Sequence, residues 1–212
     1  MLSYGSTAGP LADPAYFPNT FAEPYWNASD NSGDASTAWT MDEGSGAIAN
    51  GDVRDTPHPV MLVRGKKALG SGSTYVLSPN GREAADESPG AVVTRRRCVE
   101  SMAWSGTICE GTPLTFTPEQ ALAYATSMSA ATGKSWHVPN VKELNWVVRR
   151  EASNPAIDTT EFPGIPAALQ CTSTPDVRAQ SRAWMVDFSI GRVVSVSRAS
   201  ACVLRLARWS DG

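Results

Sequence analysis

The chain states one pattern twice at a fixed spacing. Residues 17–46 run Phe17-Pro18-Asn19-Thr20, then Tyr25-Trp26-Asn27-Ala28-Ser29, then Ala38-Trp39-Thr40-Met41-Asp42, closing at Gly46. Residues 162–191 run Phe162-Pro163-Gly164-Ile165, then Gln170-Cys171-Thr172-Ser173-Thr174, then Ala183-Trp184-Met185-Val186-Asp187, closing at Gly191. Phe162, Trp184 and Gly191 each follow their counterparts by 145 positions, and after a one-residue gap Leu62-Val63-Arg64 matches Leu206-Ala207-Arg208. Solenoid units are shorter, roughly 20–50 residues, so the spacing predicts two copies of a domain, the first without its front half. Half a domain has little core to offset its chain entropy. The first segment is therefore expected to be completed upstream in a longer product or to pack on the second copy.

Composition narrows the class. With 42% hydrophobic and 18% charged residues, the 212-residue chain reads as globular. A net charge of −3 argues against nucleic acid as the main partner, and Arg95-Arg96-Arg97 reads as a solvated strand end. No apolar stretch reaches the roughly 18–20 residues of a membrane span, and the first residues lack the basic and apolar regions of a signal peptide. The four cysteines fit no zinc spacing. Cys98 and Cys109 suit a small disulfide-closed loop and an oxidising compartment, whereas Cys171 and Cys202 read equally well as a pair, as free thiols or as small buried hydrophobes.

Three stretches follow. Residues 1–65 predict short strands and turns, residues 66–73 a Gly/Ser linker, and residues 74–210 a complete α+β domain. In that domain Thr117-Pro118-Glu119-Gln120 predicts a capped helix through Ala121, Leu122, Ala125 and Met128, ending near Gly133. Asn140 and Glu143 predict a second, with Val141, Leu144, Val147 and Val148 as its apolar stripe and Arg149 and Arg150 in its last turn. Beyond Pro155 the period becomes two. Trp184, Val186 and Phe188 alternate with Met185, Asp187 and Ser189, predicting one buried and one free face. A turn at 189–192, a return strand at 193–196 and a last strand at 203–208, with Leu204 and Leu206 on one face, complete a meander.

The second unit resembles the Lcl C-terminal domain family, which has a C-type-lectin-like fold. The resemblance is carried by Arg97-Cys98, the 104–111 stretch WSGTICEG, Phe116 to Ala125, Trp136-His137-Val138-Pro139-Asn140-Val141-Lys142-Glu143-Leu144, Asn154-Pro155-Ala156-Ile157-Asp158, Phe162-Pro163, Ser173-Thr174-Pro175, Ala183 to Phe188, Gly191, and Arg205-Leu206-Ala207-Arg208. Residues 13–65 look like the back half of the same family. His137 stands where the family usually carries Arg, and Cys171 where it usually carries Trp, although Trp26 keeps that residue in the first copy. Glu43 stands where the second copy has Phe188. Loss of an indole at Cys171 predicts looser local packing.

The resemblance implies a non-enzymatic, ligand-binding module at the cell surface, secreted or periplasmic, as in bacterial adhesins. It also implies a variable protein of a diversity-generating retroelement, whose C-terminal strand codons are rewritten. The residues fit that layout as exposed positions on a fixed backbone: Gln170, Thr172, Met185, Asp187, Ser189, Ile190, Arg192, Ser195, Ser197, Arg198, Ala199 and Ser200 are the candidate ligand-binding positions. The partner expected is a surface protein or glycan, with oligomers compatible and neither nucleic acid nor membrane insertion involved.

No catalytic constellation stands out. His58 and His137 are the only histidines, and His137 reads as a packed residue. G-x-S-x-G, H-E-x-x-H, P-loop and G-x-G-x-x-G motifs are absent, the acidic residues lack calcium-loop spacing, and no cofactor or metal is expected. Two alternatives stay open. One is a structural or adhesive repeat acting by assembly. The other is a cysteine-dependent oxidase related to sulfatase-activating enzymes, using Cys171 and Cys202, which would rest on fold analogy alone.

Overall fold

Among the described residues, fourteen short strands and two helices follow one another. The computed structural model describes residues 2–62, 75–86 and 92–209; the expected linker at 66–73 lies outside them. The strands are β1 (Pro24–Asp30), β2 (Thr37–Asp42), β3 (Ile48–Val53), β4 (Tyr75–Leu77), β5 (Glu83–Asp86), β6 (Val93–Arg96), β7 (Ala103–Trp104), β8 (Cys109–Glu110) and β9 (Thr115–Phe116). Helices α1 (Pro118–Thr132) and α2 (Val141–Asn145) come next. Then follow β10 (Leu169–Pro175), β11 (Arg182–Asp187), β12 (Arg192–Ser197), β13 (Cys202–Val203) and β14 (Ala207–Trp209). One eight-stranded sheet has the order β1-β2-β3-β12-β11-β10-β13-β9, and a four-stranded sheet the order β14-β6-β5-β4. The expected α+β class holds.

The two stretches of similar sequence pair alike. Tyr25↔Met41 and Trp26↔Thr40 in β1–β2 recur as Gln170↔Val186 and Cys171↔Met185 in β10–β11, each pair followed by the same bulge. The next hairpin begins at the same spacing, with Met41↔Ile48 matching Val186↔Val193. It then slips. Thr37↔Val53 matches Arg182↔Ser197, so Val53 precedes its counterpart by 144 positions rather than 145. An extra residue at a bulge in β3 is thus the source of the one-residue gap in the sequence pattern. Upstream, the N–H of Leu11 donates to Glu43 O as that of Ala156 does to Phe188 O.

The first segment joins the second through β3 and β12, where Ile48 pairs antiparallel with Val193, the residue 145 positions on. Pairing of corresponding residues makes the seam a local two-fold. The side chains across it reciprocate, with the Trp184 ring against Gly46 and the Trp39 ring against Gly191. Both glycines are needed there. They hold φ of +88° and +87°, where a side chain is strained, and a Cβ would come within 3.0 Å of Leu11 at Gly46 and 2.9 Å of Val148 at Gly191.

Both faces of β11 are buried. Trp184, Val186 and Phe188 sit in one core with Trp39, Ile48, Leu144 and Phe162, while Met185 lies in a second core with Cys171, Leu204, Leu206 and Ala121 of α1. Helix α1 starts as expected, with the reciprocal Thr117–Gln120 capping box, and ends at Gly133 in the left-handed conformation. Its buried side is Ala121 and Ala125, whereas Leu122 points outward at 47% exposure.

Three expectations need correction. Helix α2 has only five residues, so Val147 and Val148 lie beyond it. Val148 forms a bridge with Ile157, and Arg149 and Arg150 lie beyond the helix; β-branched side chains are stiff in helices and suit an extended bridge. The last strand is split into β13 and β14, because Leu204, Arg205 and Leu206 cross from one sheet to the other. Arg95 and Arg97 are buried rather than solvated: Arg95 Nη2 donates to Glu143 O at 3.1 Å, and the Arg97 guanidinium lies 4.1 Å over Trp104.

Candidate functional site

Disulfides fix the ground on which the C-terminal surface stands. Cys98–Cys109 closes as expected, holding β8 against the loop after β6. Cys171 and Cys202 also bond, resolving the open reading of that pair. In the first segment the corresponding residues are Trp26 and His58, whose rings meet edge to face at 4.6 Å. Where the first segment has an aromatic contact, the second has a covalent tie.

The structure separates the twelve candidate positions into three sets. Gln170, Thr172 and Met185 are buried, at 0%, 2% and 0% exposure, and are not on a free surface. Gln170 lies on a central strand, paired with Val186 on one side and Val203 on the other. Thr172 donates its hydroxyl to Trp184 O at 2.7 Å within the β10 bulge. Met185 packs beneath α1. An alternating pattern signals two unlike faces. Here the second face is covered by α1 instead of water.

Asp187, Ser189, Ile190 and Arg192 form the half-buried tip of the β11–β12 hairpin. Asp187 accepts from the Ser189 N–H at 3.0 Å and hydroxyl at 2.5 Å, and pairs with Arg192 at 3.2 Å. Burial pushes the Asp187 carboxyl up, but these hydrogen bonds and the Arg192 charge outweigh it, leaving it below the usual carboxylate range.

The third set lies at the other end of β12. Ser195 shares the face of its partner Trp184, opposite that of Arg192 and Asp187. Its hydroxyl donates to Asp176 Oδ2 at 2.6 Å and accepts from Arg182 Nε at 3.1 Å. Asp176 also pairs with Arg178 at 3.5 Å, and Arg178 donates across the seam to Gly44 O at 2.8 Å and to Ser45 O. Ser197, Arg198, Ala199 and Ser200 form the exposed to half-exposed turn after β12, tied by Ser200 N–H to Ser197 O and by Arg198 to Glu119 of α1 at 3.1 Å. The candidates thus form two surface clusters rather than one strip. Arg178 and Arg182 were missed by sequence reasoning. Arg182 sits at the alternation's polar start, while only the fold brings Arg178 to the seam.

A cavity of about 410 Å³ lies elsewhere, between β5–β6 and the disulfide loop, lined by Arg82, Glu83, Arg96, Met102 and Trp104 among others. Glu83 accepts from Lys134 at 2.7 Å and Arg208 at 2.9 Å. Burial acts against the Glu83 charge, yet these two cations hold its carboxyl below the usual range. His137 lies 3.4 Å from Glu143 and stacks on Trp209, so it is a packed residue. No group of three or more metal-ligating side chains occurs among the described residues, and no helix there is long and apolar enough to cross a membrane.

A mostly antiparallel α+β arrangement, with β11 buried on both faces and two disulfides, is the class that the fold defines. The chain belongs to the Lcl C-terminal domain family, whose model matches residues 94–208. Neither the curated proteins nor the solved structures gave a match to this chain.

Proposed function

We propose that this chain is a non-enzymatic ligand-binding protein with a C-type-lectin-like fold, in which the C-terminal turn surface meets the ligand. The observation that carries it is the contrast within one short stretch. Ser197 to Ser200 lie at the surface, while Cys202 to Leu206 immediately after them are at most 3% exposed. Side chains can change on such a turn without disturbing what holds it. Two disulfides support a location outside the cytoplasm. Burial of Cys171 and Cys202, at 0% and 1% exposure, supports a structural bridge over a redox pair.

Retroelement diversification fits the same contrast once its positions are narrowed to Ile190, Arg192, Ser197, Arg198, Ala199 and Ser200. The first segment is then the back half of a second such domain, an interpretation supported by the shared registers.

Two measurements test this reading. The DNA flanking the gene should hold a reverse transcriptase and a near-copy of the codons for residues 170–202, differing mainly at adenines; if both are missing, the diversification claim fails. Random codons at Ser197, Arg198, Ala199 and Ser200 should leave most clones folded, whereas random codons at Gln170, Thr172 and Met185 should not. Equal intolerance in the two libraries would remove the physical basis for recognition by the turn.

A further inference from the structure

Corresponding residues of the two segments have opposite fates on one face. Phe162 is 0% exposed and Phe17 38%; Leu204 is 0% exposed and Val60 60%; Leu206 is 0% exposed and Leu62 90%. Phe17, Phe21, Val60 and Met61 line an open groove of about 320 Å³. In the second unit that face is covered by β6, the loop after it and α1. Arg96 N–H donates to Leu206 O at 3.1 Å and Glu100 N–H to Leu204 O at 2.8 Å, while Leu204 and Leu206 pack with Ala121 and Ala125.

We propose that the Phe17–Val60–Leu62 face is a docking surface for a second strand–loop–helix unit of the kind formed here by residues 93–132. The inference rests on the half-domain reading above but not on the ligand-binding turn. Three observations select this occupant. Registers and backbone hydrogen bonds of the first segment follow those of the second, so its carbonyls at Val60 and Leu62 take the places of those that β6 and its loop engage. The exposed side chains are those whose counterparts this unit buries. Within the described residues, the unit at 93–132 is already engaged on the second copy, so the occupant is a further unit of this kind. A second copy of this chain offers its own unit only by uncovering an equal face.

The test uses the full chain with a synthetic polypeptide of residues 93–132, its Cys98–Cys109 bridge closed, both free and tethered to the N-terminus by a flexible linker to raise its effective concentration. Hydrogen exchange at residues 17–26 and 58–62 and calorimetric titration are the readouts. Saturable binding that protects those amides is expected, weakened about tenfold or more by Leu62→Glu, since a buried leucine contributes about 1.5–3 kcal/mol. Phe17→Ser should weaken it as well. Because both residues are exposed, neither change should alter the thermal unfolding of the chain alone. The proposal is overturned if neither form of the probe protects the segment, if Leu62→Glu binds as well as the parent, or if the chain instead forms dimers through this face that Leu62→Glu dissolves. Failure of this test leaves the turn libraries unaffected, and the reverse also holds.

Discussion

Removing the Cys171–Cys202 bridge, by replacing both residues with alanine, is the perturbation whose size the structure sets best. The bridge spans 31 positions, and in the chain-entropy account closing a loop of that length stabilises the fold by about 3–4 kcal/mol. Cys98–Cys109 spans 11 positions and is worth about 3 kcal/mol on the same relation. The difference in stability is small, but access differs. Cys171 and Cys202 are 0% and 1% exposed beneath α1, against 8% and 4% for Cys98 and Cys109. Urea unfolding followed by tryptophan fluorescence at neutral pH, without reductant, measures the effect. With a slope of about 2–3 kcal/mol per molar urea, the midpoint should fall by about 1–2 M. Graded reduction of the parent followed by thiol mapping should open Cys98–Cys109 first. A midpoint shift below about 0.3 M would show that the covalent tie is not what holds β10 to β13. Early opening of the buried bridge would refute the packing argument.

Four other substitutions have defined outcomes. Gly46→Ala and Gly191→Ala should each destabilise the chain by about 2–4 kcal/mol, from positive-φ strain and overpacking against Leu11 or Val148, as read by thermal or urea unfolding. Glu43 is wholly buried where the other segment has Phe188, and burial, aided by the Asp42 charge, pushes its carboxyl above the usual range. Its folded form therefore binds a proton more readily than the unfolded chain, so its penalty is present at neutral pH and is relieved as pH falls through the raised pKa. Glu43→Leu should stabilise by about 1–3 kcal/mol at neutral pH and by less in acid. Asp187 works in the other direction. Its carboxyl is held low, so its contribution is complete above the ordinary carboxylate range and disappears as pH falls through the lowered value; Asp187→Asn should flatten that part of the stability–pH curve.

Much of the fold was written plainly in the residues. The 145-residue spacing is matched by hairpins that pair alike, and the Thr117–Gln120 and Asn140–Glu143 boxes marked both helix starts because capping depends on neighbours three positions apart. The end of α2 was hidden, since the Val147-Val148 stripe is decided by a partner nine residues further on, Ile157. The candidate surface was legible only in part. A period of two told correctly that Trp184 and Met185 face opposite ways, but local sequence carries no sign of α1 lying over the second face. Arg95 and Arg97 misled for a similar reason: a run of charge reads as solvated until Glu143 and Trp104 arrive from distant segments.

At the seam, two chemically identical indoles have acquired different neighbours. Trp184 receives the edge of Tyr4 at 5.0 Å, whereas Trp39 lies under the guanidinium of Arg150 at 5.3 Å. Between separate identical chains each such change would be imposed on both sides at once. Within one polypeptide a mutation alters a single side, so the halves are free to specialise while the glycines beneath the indoles keep them in step.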